Sequence, residues 1–256
     1  MKFNRLSILI VFVLTACGAN PSELMVPTAK IATQNVKPTA TRMPTRVLPT
    51  STPEPPACYD TISINNDWTT IFCDNFDDNR NDWESNDASD LANSLYKIEN
   101  GELVVDFSGI NTSGYQSGVV QRRGVTIAKD FVFSLNGEII SNFENNAWGV
   151  VFREADGNYF LFMVTNNGGY WLDRYKDGKW DSLITFRKNN AIKYDDVNNL
   201  VVVAEDDAFT FYVNDKIVNS YESSSLSGDG VYLSVWTAEG VKARFEFDDL
   251  VVKEKP

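Results

Sequence analysis

The chain of 256 residues contains no histidine. That removes the commonest general base near neutral pH and the commonest transition-metal ligand. It also excludes nucleophilic sites built on a Ser-His-Asp or Cys-His arrangement. Positive charge is scarce: 23 Lys and Arg stand against 35 Asp and Glu. The first 57 residues hold six basic and two acidic side chains, a net +4, so the −12 of the whole chain leaves −16 on residues 58–256. A surface that acidic opposes binding to nucleic acid or anionic lipid. It suits solubility near a membrane, neutral ligands such as glycans, or cations. Proline is nearly absent beyond residue 57: eight of the nine lie between residues 18 and 57, and the ninth is Pro256. The apolar run at residues 6–14 is nine residues long, well short of the roughly 20 that span a bilayer.

What precedes and follows that run gives it a meaning. Lys2 and Arg5 supply a positive start, and Leu14-Thr15-Ala16-Cys17 closes the stretch with small residues. Residues 1–16 therefore read as an export signal. A cysteine directly after the small residues resembles the lipobox of bacterial lipoproteins. The resemblance implies cleavage before Cys17, a lipid on that cysteine, and a membrane-anchored protein on the extracytoplasmic face of a bacterial cell envelope. The segment from Cys17 to residue 57 is rich in Pro, Thr, Ala and Ser and carries no aromatic after Cys17. It cannot bury enough apolar surface to offset the entropy of ordering it, so it is expected to be a disordered tether. Fully extended as polyproline II it would reach roughly 120 Å at ~3.1 Å per residue.

With Cys17 lipidated, Cys58 and Cys73 remain as a candidate disulfide in an oxidising compartment. Residues 59–64 and 68–73 look like two strands joined at Asn65-Asn66, a type I′ hairpin signal. In that register Cys58 faces Cys73.

Residues 58–256 are expected to form one β-sandwich domain. Alternation of period two sets thirteen strands between residues 95 and 252, separated by turns such as Asn100-Gly101, Asp156-Gly157 and Asp177-Gly178. No stretch has a convincing helical period. That many strands without helices implies an all-β, two-sheet antiparallel jelly-roll sandwich. Two stretches then resemble a known family. One is WGVVFREADGNYFLFMVTNNGGYWLDRYKDGKW at residues 148–180; the other runs from Asn198-Asn199-Leu200-Val201 through Phe247-Asp248-Asp249-Leu250. Together with Cys73-Asp74-Asn75-Phe76-Asp77-Asp78, they are similar to the concanavalin A-like lectin/glucanase superfamily, in its laminin-G-like modules. The resemblance implies the fold and a glycan or protein ligand, and says little of activity.

Strand parity nominates a ligand face. If Phe152, Phe160, Phe211, Val235 and Phe245 are buried, then Arg153, Tyr159, Tyr212, Trp236 and Glu246 point outward. Aromatic faces stack on sugar C–H surfaces, and Arg and carboxylate groups fork onto hydroxyls. The alternative is that these residues cover a second sheet face or pack under loops. The strand at 169–175 buries either Tyr170 and Leu172 or Trp171 and Tyr175. For metal, Asp74, Asp77 and Asp82 crowd one segment, and Asp248 would join them if the first and last strands pair. Such oxygens suit Ca²⁺; the alternative is a solvated acidic turn. No catalytic residues are assigned. The glucanases of this superfamily carry Glu-x-Asp-x-(x)-Glu on one strand, and neither Glu154-Ala155-Asp156 nor Glu246-Phe247-Asp248 completes it. Three functions follow: a lipid-anchored module binding glycan, a glycan-processing hydrolase with an unrecognised carboxylate pair, or an adhesion domain with a protein partner.

Overall fold

The computed structural model describes residues 62–88, 92–109, 116–120, 127, 129–141 and 146–256. The chain divides into two units, Met1–Pro53 and Glu54–Pro256, and every described residue lies in the second. Cys17, where a lipid is expected, the expected signal and tether segments, and Cys58 lie outside the described residues.

Fifteen strands are described, in two antiparallel sheets. The larger sheet runs in the order β13 (Lys216–Glu222), β12 (Ala208–Val213), β11 (Asn198–Glu205), β6 (Phe131–Ile139), β15 (Lys242–Glu254), β4 (Glu102–Gly109), β3 (Ala92–Glu99), β2 (Ser85–Ala88), with β1 (Thr69–Asp74) also paired to β15. The smaller sheet runs β10 (Lys179–Lys188), β9 (Gly169–Lys176), β8 (Asn158–Thr165), β7 (Ala147–Ala155), β14 (Gly230–Thr237), β5 (Gln116–Val120). This is the two-sheet antiparallel jelly-roll sandwich that the alternation predicts. The thirteen expected strands are all present. β2 was not expected, because Ser-Asn-Asp-Ala has no apolar alternation to reveal it. The turns at Asn100-Gly101, Asp156-Gly157 and Asp177-Gly178 have both residues at positive φ, as type I′ hairpins require.

Aromatic rings join the sheets. Phe162 of β8 stacks on Phe211 of β12 with ring centroids 4.1 Å apart, and Phe152 of β7 meets Phe209 of β12 edge-on at 5.0 Å. Trp148 of β7 packs edge-on against Phe247 of β15 at 5.4 Å. A glycine lies opposite: a Cβ built on Gly137 of β6 would sit 2.7 Å from the Trp148 ring and 2.9 Å from Phe247.

The segment before β1 departs from expectation. Residues 64–67 do turn, with Asn65 at φ 51° and the Trp68 N–H donating to the Asn65 carbonyl at 3.0 Å. Ile62 and Ser63, however, are not strand, and β1 pairs with β15, placing Cys73 opposite Val251. The reason is burial. Ile62 and Trp68 pack on Val132, Val201, Val203 and Val251, which cover the outer face of the larger sheet. Lys253, fully buried, donates from Nζ to the Ile62 carbonyl at 3.3 Å. The segment is thus a strap across the sheet rather than half of a hairpin.

Replacing Gly137 by Ala should destabilise the domain by about 1–3 kcal/mol, because the methyl must displace two large rings from a filled core. Urea unfolding checks this; an unchanged midpoint would contradict the packing described.

Candidate functional site

The smaller sheet has a second face, turned away from the core. Phe160, Phe162 and Val164 of β8 face inward, so Tyr159, Leu161 and Met163 face outward. In β9, Tyr170 and Leu172 are the inward pair, leaving Trp171, Asp173 and Tyr175 on the outer side. In β14, Leu233 and Val235 face inward and Tyr232, Ser234 and Trp236 outward. Strand register aligns these outward residues in rows. One row is Ser234, Gly149, Met163, Trp171; the next is Tyr232, Val151, Leu161, Asp173, Ser182; the third brings together Tyr159, Tyr175 and Trp180.

The floor of this face is closed and its sides are open. Met163 has no exposed surface and Trp236 only 8%, whereas Trp180 at the sheet edge is 52% exposed. Trp171 meets Trp236 edge-on at 6.5 Å. Tyr159 stacks on Tyr175 at 5.5 Å, and Trp180 caps both at 5.8 and 5.0 Å. Between the two aromatic groups stands Asp173, with the Ser182 hydroxyl and the Trp171 indole as its neighbouring donors. Burial raises its pKa, and those two donors oppose the shift. Glu154 supplies a second carboxylate, accepting from the Tyr232 hydroxyl at 2.9 Å and from the Gly157 N–H at 2.9 Å. Desolvation, and then the bond to Glu154, push the Tyr232 hydroxyl up to about 12. The face therefore offers flat apolar rings, hydroxyls and two hydrogen-bond-accepting carboxylates.

Of the five ligand residues expected from parity, Tyr159 and Trp236 lie on this face and three do not. Arg153 is buried at 2% exposure with φ 56°, at an irregularity in the β7–β8 ladder between Phe152 and Ala155. The bulge turns its side chain inward, over the Phe131 and Phe209 rings, with one guanidinium nitrogen donating to the Asp206 carbonyl at 2.9 Å. Tyr212 and Glu246 belong to β12 and β15 of the larger sheet. Tyr212 packs against the strap, and Glu246 accepts from Arg244 at 2.8 Å. Trp180 escapes a reading of the sequence because residues 179–185 alternate only weakly, and Asp173 and Tyr175 because the parity of 169–175 is open there. The buried Tyr170 decides it: its hydroxyl crosses the sandwich to the Val218 carbonyl at 3.1 Å.

The acidic residues expected to hold calcium have separate roles. Asp74 is buried, and its carboxylate accepts from the Phe76 N–H at 2.8 Å, from the Trp83 indole at 2.6 Å and from the Asn81 amide. It organises the loop after β1. Asp77 and Asp82 are exposed. Asp248 does approach this region, since β1 and β15 pair, and its carboxyl is pushed up to about 6 by desolvation and then by the charges of Asp249, Glu102 and Asp77. Among the described residues no three such side chains converge on a position that could hold a metal ion.

Two predictions follow from these environments. Asp74→Ala strands three donors, at about 1–3 kcal/mol for a buried one, and should destabilise the domain by roughly 3 kcal/mol equally with calcium and with chelator; a loss seen only with calcium would favour the metal reading. Asp248 binds its proton more tightly folded than unfolded, so it withdraws stability as pH rises from about 4 to about 6. A two-unit shift is ~3 kcal/mol, which solvent screening of a half-buried group cuts to about 1. Asp248→Asn should therefore stabilise the domain by about that amount at neutral pH and by little below pH 4, as read from paired denaturation curves.

No protein-family model and no curated protein matches the chain. Solved structures do. A glycosidic hydrolase is similar over 73% of this chain and 96% of its own, at 12% identity and a TM-score of 0.54. The catalytic domain of an endo-1,3-beta-glucanase (laminarinase) from Thermotoga petrophila is similar over 73% and 98%, at 9% identity and 0.50. A laminarinase from Flavobacterium sp. UMI-01 is similar over 73% and 100%, again at 9% and 0.50. At these identities the likeness is one of fold, the two-sheet jelly roll.

Proposed function

We propose that the outer face of the smaller sheet binds glycan, and that the protein is held on the extracytoplasmic side of a bacterial envelope by a lipid on Cys17. The observation that carries the first part is the row structure itself. Trp171, Trp236, Tyr159, Tyr175 and Trp180 share one continuous face with Asp173 among them. Rings stack on the apolar faces of sugars, and a carboxylate accepts from their hydroxyls. The solved structures that share the fold carry names of glycan hydrolases, which supports a glycan ligand generally.

Binding is favoured over hydrolysis with retention. Asp173 and Glu154 are the carboxylates of the face, and they stand on β9 and β7, two strands apart. Two strand spacings are about 9.5 Å before any offset along the strands. A retaining glycosidase needs its carboxyl groups about 5–5.5 Å apart.

Trp171→Ala should weaken retention on a bound polysaccharide about fivefold to tenfold while the domain stays folded. Affinity electrophoresis through gels containing soluble polysaccharides, with thermal unfolding alongside, measures both. Unaltered retention by a folded variant would remove this face from consideration. For the anchor, Cys17→Ser should move the protein from the membrane fraction to the soluble fraction, or leave it uncut; membrane association equal to that of the parent would overturn the lipid.

A further inference from the structure

We infer that the aromatic face selects its glycan by charge, taking uncharged chains and turning acidic ones away, with Asp173 as the specificity-determining residue. This deepens the glycan reading above and rests on it.

Asp173 stands in the middle row, between Leu161 on one neighbouring strand and Ser182 on the other. Its two protein donors, Ser182 and Trp171, lie on the same face. A sugar hydroxyl brought alongside can donate to the carboxylate as a third partner. A uronate or sulfate cannot donate, and it would place a second negative charge in a site that already disfavours the first. Like charges set against each other across a desolvated contact oppose binding and so suppress the wrong partner. Glu154 adds to the repulsion from the Tyr232 end of the same row.

Nothing in the three rows cancels that charge. They hold no Lys or Arg. Arg153 is turned into the core. Arg174, between Asp173 and Tyr175, has the opposite parity and is paired with Asp181 at 2.7 Å. Lys188 lies opposite Gly169 at the sheet edge, where its Nζ donates to the Tyr194 hydroxyl at 3.1 Å. The whole domain adds its −16 to the same sign. Rejection of the wrong partner is thus built into the site, as specificity requires.

Matched pairs of polymers test this: hydroxyethyl and carboxymethyl cellulose, and curdlan, pullulan and dextran each with its carboxymethyl derivative. The neutral member of at least one pair should be retained about tenfold more tightly than its acidic counterpart at low salt. That gap should narrow as salt rises, because screening acts on the repulsion alone. Asp173→Asn keeps an oxygen for Ser182 and Trp171, and it should raise the acidic-to-neutral affinity ratio severalfold, whatever it does to neutral affinity. Equal retention of both members of each retained pair would overturn charge selection and leave glycan binding standing. So would a gap indifferent to salt and unchanged in a folded Asp173→Asn protein. Retention of no polymer of either kind would overturn both readings.

Discussion

The contact between aromatic rings of the two sheets governs this molecule. Phe152 and Phe162 of the smaller sheet meet Phe209 and Phe211 of the larger one, and Trp148 meets Phe247. In a strand, successive side chains point to opposite faces. Once these rings are committed to the interior, the alternate residues of β8 are committed to the other face. Tyr159, Leu161 and Met163 have nowhere to go but outward. The candidate site is therefore the obligatory counterpart of the core.

That dependence explains how much the sequence discloses. Period-two alternation is strong wherever one face must be apolar, and so the strands of the sandwich could be read almost completely. Tyr159 and Trp236 were legible for the same reason. Arg153 was not. One irregular step after Phe152, marked only by an arginine at positive φ, reverses the side-chain direction. A polar residue beside a phenylalanine looks like any other outward position until the ladder is seen. Which sheet a strand joins is also hidden, because parity is defined within a strand and not between sheets. Tyr212 and Glu246 were placed with Trp236 by parity alone, and topology separates them.

The loop after β1 teaches a related lesson. Seven Asp and Asn side chains between residues 74 and 82 resemble a set of cation ligands in composition. What the residues do is supply hydrogen-bond partners to the backbone and to each other. Asn79 accepts from the N–H groups of Trp83 and Glu84, and Asp78 forks onto Arg80. Trp83 then packs edge-on against Phe76 at 5.5 Å. Short polar side chains stabilise irregular backbone in this way without any ion, and composition does not distinguish the two uses.

The strap at residues 62–68 has a mechanical consequence. It lies on the outer face of the larger sheet, across the sandwich from the aromatic rows. A pull arriving through the chain ahead of Ile62 meets the packed strap first and then β1, which runs antiparallel to β15 from Thr69 opposite Glu254 to Asp74 opposite Leu250. A force drawn along β1 loads the bonds of that ladder together, in shear, rather than opening them one after another. The strand that resists is β15, which is also held by β6 along its length and by β4 beside its first half. A tug between the chain before the strap and the aromatic rows on the far face would pass through the middle of the sandwich, where the aromatic rings are.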